Sequence, residues 1–257
     1  MTAQRHVAVR IEGPLAVATL QRAPVNAIDE AWLAQLDDAL AAIERAQGVA
    51  ALVLRSTQRT FSAGADLELM RSRFDKPVGR ARMVEFVRDI QRVYARLERL
   101  PLVTIAEVGG AAMGGGFELA LACDLRIAAE DAVLGLPEAR LGLLPGAGGT
   151  QRLTRIGGEA TAKRLILGAE TVTGAQAVAL GLVHWAVPAK ELARGALRIA
   201  SGITALPVEA VAACKRCIHA ALEPGDAGFE MEIAATAALL ASEVTQVRVR
   251  QFLAKKR

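Results

Sequence analysis

Apolar and polar positions alternate over residues 7–11, and residues 15–20 form an apolar run; Gly13-Pro14 between them predicts a β-hairpin. Trp32, Leu36, Ala39, Leu40 and Ile43 recur at helical spacing, with Asp29 placed to cap that helix. Residues 51–54 and 102–108 read as buried strands. A helix over residues 77–100 joins them, with Val84, Val87, Ile90, Val93 and Leu97 on one side. Residues 125–128 and 132–136 predict two more short strands. After about Arg155 the pattern turns helical, at residues 161–167, 175–180, 191–203, 208–222, 230–241 and 245–254. Strands with crossover helices, then a helical tail, predict an α/β chain with a core over residues 1–200 and a helical region over 201–257.

Composition adds mainly exclusions. Apolar residues are 53% of the 257, ample for a packed core, and no segment has a disordered composition. The formal charge is only +4 and aromatics are 4%, whereas nucleic-acid binding calls for a basic stripe interleaved with aromatics. The one dense basic stretch, from Arg71 to Arg82, also carries Asp75; it reads as a solvated face able to attract an anionic ligand. The amino terminus lacks an apolar segment of signal-peptide length. The longest uncharged stretch, residues 171–189, is broken by Gly174, Gly181, His184 and Pro188, so no membrane span is expected. Three cysteines exclude a full disulfide framework and suit a reducing cytoplasm, the expected location. Cys214 and Cys217 form a CxxC late in a predicted helix, without a second CxxC or a His pair, and read as packing rather than a metal site.

Three glycine-rich segments carry candidate chemistry: residues 61–66, residues 113–118 and residues 145–149. The first two follow predicted strands. Small residues there let a ligand approach the backbone, and free N–H groups of a first helical turn favour negative charge. Two such turns on adjacent strands could aim two N–H groups at one oxygen; one glycine loop alone more often serves a tight turn. Neither Gly114-Gly115-Gly116-Phe117-Glu118-Leu119 nor the later loop satisfies GxGxxG, and there is no phosphate-binding GxxxxGK[ST] or GxSxG elbow. His6, His184 and His219 are isolated, so no nucleophile–base pair or metal set suggests itself. That leaves two acids beside the glycine turns. Glu118 opens an apolar helix, where it could simply complement the helix terminus; Glu138 follows Leu136-Pro137, where it could simply pair with Arg140.

Taken in order, these segments resemble the enoyl-CoA hydratase (crotonase) family over nearly the whole chain, roughly residues 7–256. The densest likeness lies in Gly114-Gly115-Gly116-Phe117-Glu118-Leu119-Ala120 and in Leu136-Pro137-Glu138, followed by Leu144-Pro145-Gly146-Ala147-Gly148-Gly149-Thr150-Gln151-Arg152. The resemblance implies a spiral of ββα units, a helical tail that builds trimers or dimers of trimers, and acyl-CoA thioesters as ligands. It implies no cofactor beyond the CoA carried by the substrate; with the composition and spacings above, no metal, nucleic-acid or membrane partner is expected. By position, Ala65 and Gly115 would supply two backbone N–H groups to the thioester oxygen, and Ala63 would contact adenine. Ala65, Asp66 and Leu67 would flank the thioester, and Arg22 and Val25 would sit in a CoA-contacting turn. Gly64, Pro137, Gly146, Phe252 and Lys255 complete the implied CoA set, with residues 67–84 as one pocket wall. Acids at both 118 and 138 match the hydratase pattern, because water must lose a proton while Cα gains one. Related reactions on the same scaffold are Δ3-Δ2 isomerisation, dehydration, and decarboxylation or retro-aldol cleavage; a non-catalytic CoA- or RNA-binding role is the alternative of another class. The tail departs from the family, since Thr245-Gln246-Val247-Arg248 lacks its acid-glycine pair.

Overall fold

The computed structural model describes residues 4–222 and 227–254. The chain opens with the expected hairpin, β1 (Val7–Glu12) antiparallel to β2 (Leu15–Leu20), turned by Gly13 at φ 56°. Helix α1 (Glu30–Arg45) follows; Asp29 caps it by accepting the Trp32 N–H at 2.7 Å. Its inner face buries Trp32, Leu36, Leu40 and Ile43, each such side chain contributing about 1.5–3 kcal/mol.

From here the chain climbs in similar steps, each a strand of one sheet, a short extended piece of a second, then a helix. The first step is β3 (Ala51–Ser56), a parallel bridge at Ser62, the short α2 (Leu67–Arg71) and the long α3 (Pro77–Arg99). Next come β4 (Val103–Val108), β5 (Ala112–Met113) and α4 (Gly115–Leu121), then β6 (Leu125–Ala129), β7 (Val133–Gly135) and α5 (Gly149–Leu167). The main sheet runs β1-β2-β3-β4-β6 and closes with β9 (Trp185–Val187); every pair but the first is parallel. The second sheet runs β5-β7-β8, where β8 (Thr171–Thr173) precedes α6 (Gly174–Ala179). Because Ser62 bridges Ala112, neighbouring steps bring their second strands, and the turns beyond them, side by side.

Three short strands lie where the sequence pattern suggests none: β5, β8 and β9. Helix α5 begins at Gly149, twelve residues before the predicted start, with a non-helical break at Gly158 (φ 78°, ψ 164°). Val84, read as part of the inner stripe of α3, is 53% exposed; the buried stripe is Phe86, Ile90, Val93, Tyr94 and Leu97. Residue 200 falls inside α7 (Leu192–Thr204), whose small face of Gly195, Ala196 and Ala200 lies against the main sheet. A Cβ on Gly195 would stand 2.7 Å from Ile127 Cδ1, so this helix sits too close for a larger residue.

Beyond it come α8 (Val208–Ala220), α9 (Ala227–Ala241) and α10 (Glu243–Ala254). Helix α8 is tied to the core through Lys215: its Nζ donates to Asp124 Oδ2 at 2.7 Å and to the Leu102 carbonyl at 2.9 Å. The same Asp124 oxygen accepts the Thr104 N–H and hydroxyl at 2.8 and 2.9 Å. Helix α9 packs on α8 and α10 on α9, and neither has a buried residue. No single described helix is long and apolar enough to cross a membrane.

Lys215→Met removes a nearly buried amine and leaves Asp124 without that partner beneath α8. The expected loss is roughly 3 kcal/mol, as for breaking one side of a buried pair. It is to be read from urea midpoints, with Lys215→Arg as the charge-retaining control.

Candidate active site

The turns beyond the second-sheet strands form one wall of a cavity of about 430 Å³. Met83, Val87 and Ile90 of α3 face it across an apolar interior, and the 143–147 loop closes one side. Two other hollows, of about 470 and 490 Å³, each hold a single carboxylate, Asp38 and Glu191.

The wall is built by backbone approaching backbone. Gly64 adopts φ +88°, and a Cβ there would stand 2.7 Å from the Met113 carbonyl oxygen. Gly114 adopts φ +51°, and a Cβ there would stand 2.8 Å from Glu138 Oε1. Both angles are costly for residues with side chains, so glycine is required on both counts. As a result the Cβ direction of Gly115 points to within 3.7 Å of the Ala65 nitrogen. Most N–H groups of this wall are engaged: Ala63 donates to Val25 O, Gly64 to Ser62 Oγ, Asp66 to Ile28 O, Met113 to Ser62 O and Gly114 to Gly135 O. The N–H groups of Ala65 and Gly115, both lining the cavity, have no acceptor among the described residues. Two close backbone donors without protein partners can hold one carbonyl or oxyanion oxygen.

Two carboxyls face the same space. Glu118, on α4, is 2% exposed, and its Oε1 accepts the Gly149 N–H at 2.7 Å. Burial pushes its pKa up to about 7, with the neighbouring Glu138 adding to the rise; the N–H groups of Gly149 and Ala147 and the Arg152 charge oppose it. Glu138 sits on a 3-10 turn, Pro137–Leu141, ended by Gly142 at φ 71°. Its pKa is also raised by burial, and its Oε2 is buried with no hydrogen-bond partner among the described residues. Arg140 does not pair with it: the guanidinium donates instead to the Ala169 carbonyl at 2.6 Å. Two desolvated carboxyls on one cavity favour a state in which one keeps its proton, the condition for passing one proton out and another in.

Of the residues singled out in the sequence, Ala63, Gly64, Ala65, Leu67, Gly115, Glu118, Pro137, Glu138 and Gly146 line this cavity. Arg22, Val25 and Asp66 do not; they brace it from behind. Arg22 lies 2.8 Å from Asp29 and 2.9 Å from Asp66, and Asp66 caps α2 by accepting the Glu68 and Leu69 N–H groups. Val25 holds the Ala63 N–H through its carbonyl. Phe252 lies on α10, away from the cavity wall, and Lys255 lies outside the described residues. Leu67, Met70, Phe74 and Met83 line the cavity, so the 67–84 segment forms a wall as expected.

Several supports carried no sequence signal. Gln91 Nε2 donates to the Gly146 carbonyl at 2.6 Å and the Tyr94 hydroxyl to the Gly115 carbonyl at 3.0 Å. Arg152, 8% exposed, pairs with Glu98 at 2.9 Å and donates to the Ala147 carbonyl at 3.0 Å. Gly149 was visible only as a member of a glycine loop, and its role as a donor needs the fold.

The enoyl-CoA hydratase/isomerase family profile matches residues 10–257. The chain belongs to the enoyl-CoA hydratase/isomerase family. Among curated relatives, the mouse enoyl-CoA hydratase domain-containing protein 2, mitochondrial, is 41% identical over 215 residues, covering 83% of this chain and 70% of that protein. The short-chain-enoyl-CoA hydratase of Clostridium acetobutylicum is 37% identical over 220 residues, covering 85% of this chain and 82% of that one. Among solved structures, Pseudomonas aeruginosa DspI superposes with a TM-score of 0.91 at 35% identity, covering 99% of this chain and 96% of that one. An enoyl-CoA hydratase of Geobacillus kaustophilus gives 0.92 at 30% identity, with the same coverage of 99% and 96%. The fold is therefore the family's α/β crotonase fold with carboxyl-terminal helices.

The raised pKa of Glu118 has a consequence for stability. Its folded value of about 7 exceeds the ordinary 4.5, so the stability present below pH 4.5 is lost as pH rises through 7. Glu118→Gln, which can still accept the Gly149 N–H, escapes that loss. Relative to wild type the variant should gain on the order of 3 kcal/mol between pH 4.5 and pH 8. Urea midpoints at the two pH values test it, and equal midpoint differences at both would refute the shift.

Proposed function

We propose that this protein is an enoyl-CoA hydratase, adding water across the 2,3 double bond of a trans-2-enoyl-CoA to give a 3-hydroxyacyl-CoA. The observation that carries the reading is the meeting in one apolar cavity of two buried carboxyls, Glu118 and Glu138, with the two unpaired N–H groups of Ala65 and Gly115. In this reading the thioester oxygen accepts both N–H groups. Glu118, with the Gly149 N–H on its carboxylate, acts as base, and Glu138, whose Oε2 has no donor, holds the proton. Burial outweighs that N–H bond and sets the Glu118 pKa at about 7, close to neutral pH, where a base can both take and release a proton. Water gives a proton to Glu118 as its oxygen bonds to C3, and the π electrons move onto the thioester oxygen as an enolate. The enolate then collapses and C2 takes the proton of Glu138. One proton passing from Glu118 to Glu138 restores the starting state. Holding the enolate on two preorganised N–H groups is the largest single stabilisation available here.

The remaining subsites follow the same reading. Ala63 contacts the adenine, Gly64, Leu67, Pro137 and Gly146 contact the rest of the CoA thioester, and the acyl chain lies against the apolar side chains of α3. Arg22, Val25 and Asp66 act by bracing the loop that carries Ala65. The tail helices expose Phe229, Ile233, Leu240 and Phe252 at 59–70%, more apolar surface than a monomer usually leaves open. Closed association of identical copies, a trimer or a dimer of trimers, covers them in this proposal. That assembly would also bring Phe252 of α10 toward a CoA site, the role Lys255 would share by its place in the sequence.

Glu138→Gln should lower kcat for enoyl-CoA hydration by roughly 10²–10⁴ in a folded protein, and Glu118→Gln likewise. The double variant should fall far short of the summed effect, because the two carboxyls act as a unit. The assay follows loss of the conjugated enone absorbance over a panel of enoyl-CoA thioesters. Near-normal hydration by Glu138→Gln would overturn the assignment, and retained Δ3-Δ2 isomerisation alone would move it to the related reaction. Light scattering tests the assembly: a stable, active monomer at micromolar concentration would defeat it.

A further inference from the structure

Gln91, Tyr94 and Glu98 are spaced by three and four residues along α3, so they share one face of one helix. Each holds a different backbone segment of the site: Gln91 the Gly146 carbonyl, Glu98 the Arg152 that holds Ala147, and Tyr94 the Gly115 carbonyl. Only the Tyr94 contact reaches the turn that offers an unpaired N–H. That turn is three glycines long, Gly114-Gly115-Gly116, and loses more conformational freedom on being fixed than any other tripeptide. Its last residue is wedged, since a Cβ on Gly116 would stand 2.3 Å from the Ser62 carbonyl. Its middle residue has more room, since a Cβ on Gly115 would stand 3.1 Å from Ile28 Cδ1 and 3.6 Å from Gly64 Cα. Tyr94 is fully buried, so its hydroxyl needs a partner in the protein, and the Gly115 carbonyl is that partner.

We propose that Tyr94 is a positioning residue for the reaction: by donating to the Gly115 carbonyl, its hydroxyl fixes the 114–116 turn so that the Gly115 and Ala65 N–H groups converge on one thioester oxygen. The inference rests on the proposal that a thioester carbonyl binds between those two groups. The carbonyl and the N–H of Gly115 flank the same Cα, so rotation about its bonds moves one against the other. Without the hydroxyl, the Gly115 carbonyl loses the side-chain donor that ties this first residue of α4 to α3, and the N–H samples directions away from the oxygen. Binding of the CoA portion draws on other contacts. The loss therefore falls on the transition state, where charge on the oxygen is greatest, and on kcat rather than KM.

Tyr94→Phe removes only the hydroxyl and keeps the ring, and two readouts follow its effect. The first is steady-state hydration of trans-2-enoyl-CoA thioesters. The second is the absorbance of a bound aryl-enoyl-CoA, whose long-wavelength band moves red as hydrogen bonds polarise its carbonyl. Expected is a kcat lower by roughly 10- to 100-fold with KM little changed, the size of a misplaced donor rather than a deleted one. The red shift should shrink while probe stoichiometry and circular dichroism stay as in wild type. A folded variant with wild-type kcat and the full red shift overturns the proposal, even if it melts at a lower temperature, because a purely structural tyrosine would do that. A wild-type protein that shifts the probe but hydrates no enoyl-CoA refutes the hydratase reading, and the band shift alone then decides Tyr94. Wild-type binding of the probe with no shift would sink both ideas.

Discussion

Gly64 and the Met113–Gly115 backbone approach until no side chain fits between them, and the rest of the site follows from that contact. The parallel bridge between Ser62 and Ala112 sets neighbouring steps of the spiral in register, and the glycine turns then meet directly beyond it. The same close packing recurs around the acids, where Glu138 lies against Gly114 and Glu118 against Gly149. A methyl group at any of these positions would push apart two functional groups at once. The fold thus stores the geometry of this cavity as missing side chains, a constraint that tolerates almost no substitution.

Placing two carboxyls on an apolar cavity is unfavourable for folding, because burial disfavours the charged form. The structure offsets this unevenly. Glu118 receives backbone N–H groups and lies near the Arg152–Glu98 pair, whereas Glu138 keeps a bare oxygen. Such asymmetry is what a pair needs if its members are to hold opposite protonation states near neutral pH. Stability is recovered away from the site, in the Lys215–Asp124 tie beneath α8 and in the aliphatic interior between α1, α3 and the main sheet.

Much of the framework was legible in the sequence, because its long elements carry long periodic signals. The hairpin, α1 with its Asp29 cap, β3, α3 and β4 all lie where the pattern puts them. Strands of two or three residues such as β5, β8 and β9 cannot show a period of two, and they hide among alanine, glycine and threonine. The start of α5 was masked because Gly148 and Gly149 read as loop, and Gly157-Gly158 interrupts its helical pattern. In the site, the glutamates and glycine turns were visible through their order along the chain. Arg22 and Asp66 stood as ligand contacts through the family resemblance, yet they satisfy each other. Tyr94 and Gln91 were invisible, since a hydrogen bond to a carbonyl over twenty residues away leaves no local pattern.

The last strands of both sheets come late in the chain. β8 pairs with β7 from beyond α5, and β9 pairs with β6 only at residues 185–187. A chain emerging from the ribosome therefore holds every cavity-lining residue, Ala147 being the last, some forty residues before the main sheet gains its final strand. During that interval β6 and β7 present open edges made of apolar strands, the kind of edge that pairs with other chains. The order of synthesis concentrates the hazard of misassembly in the stretch from α5 to β9, which contributes nothing to the cavity wall itself. Beyond the start of α5, whose Gly149 and Arg152 support the cavity, the segment that guards solubility during synthesis is separate from the one that lines the cavity, and the two can be expected to tolerate change by different rules.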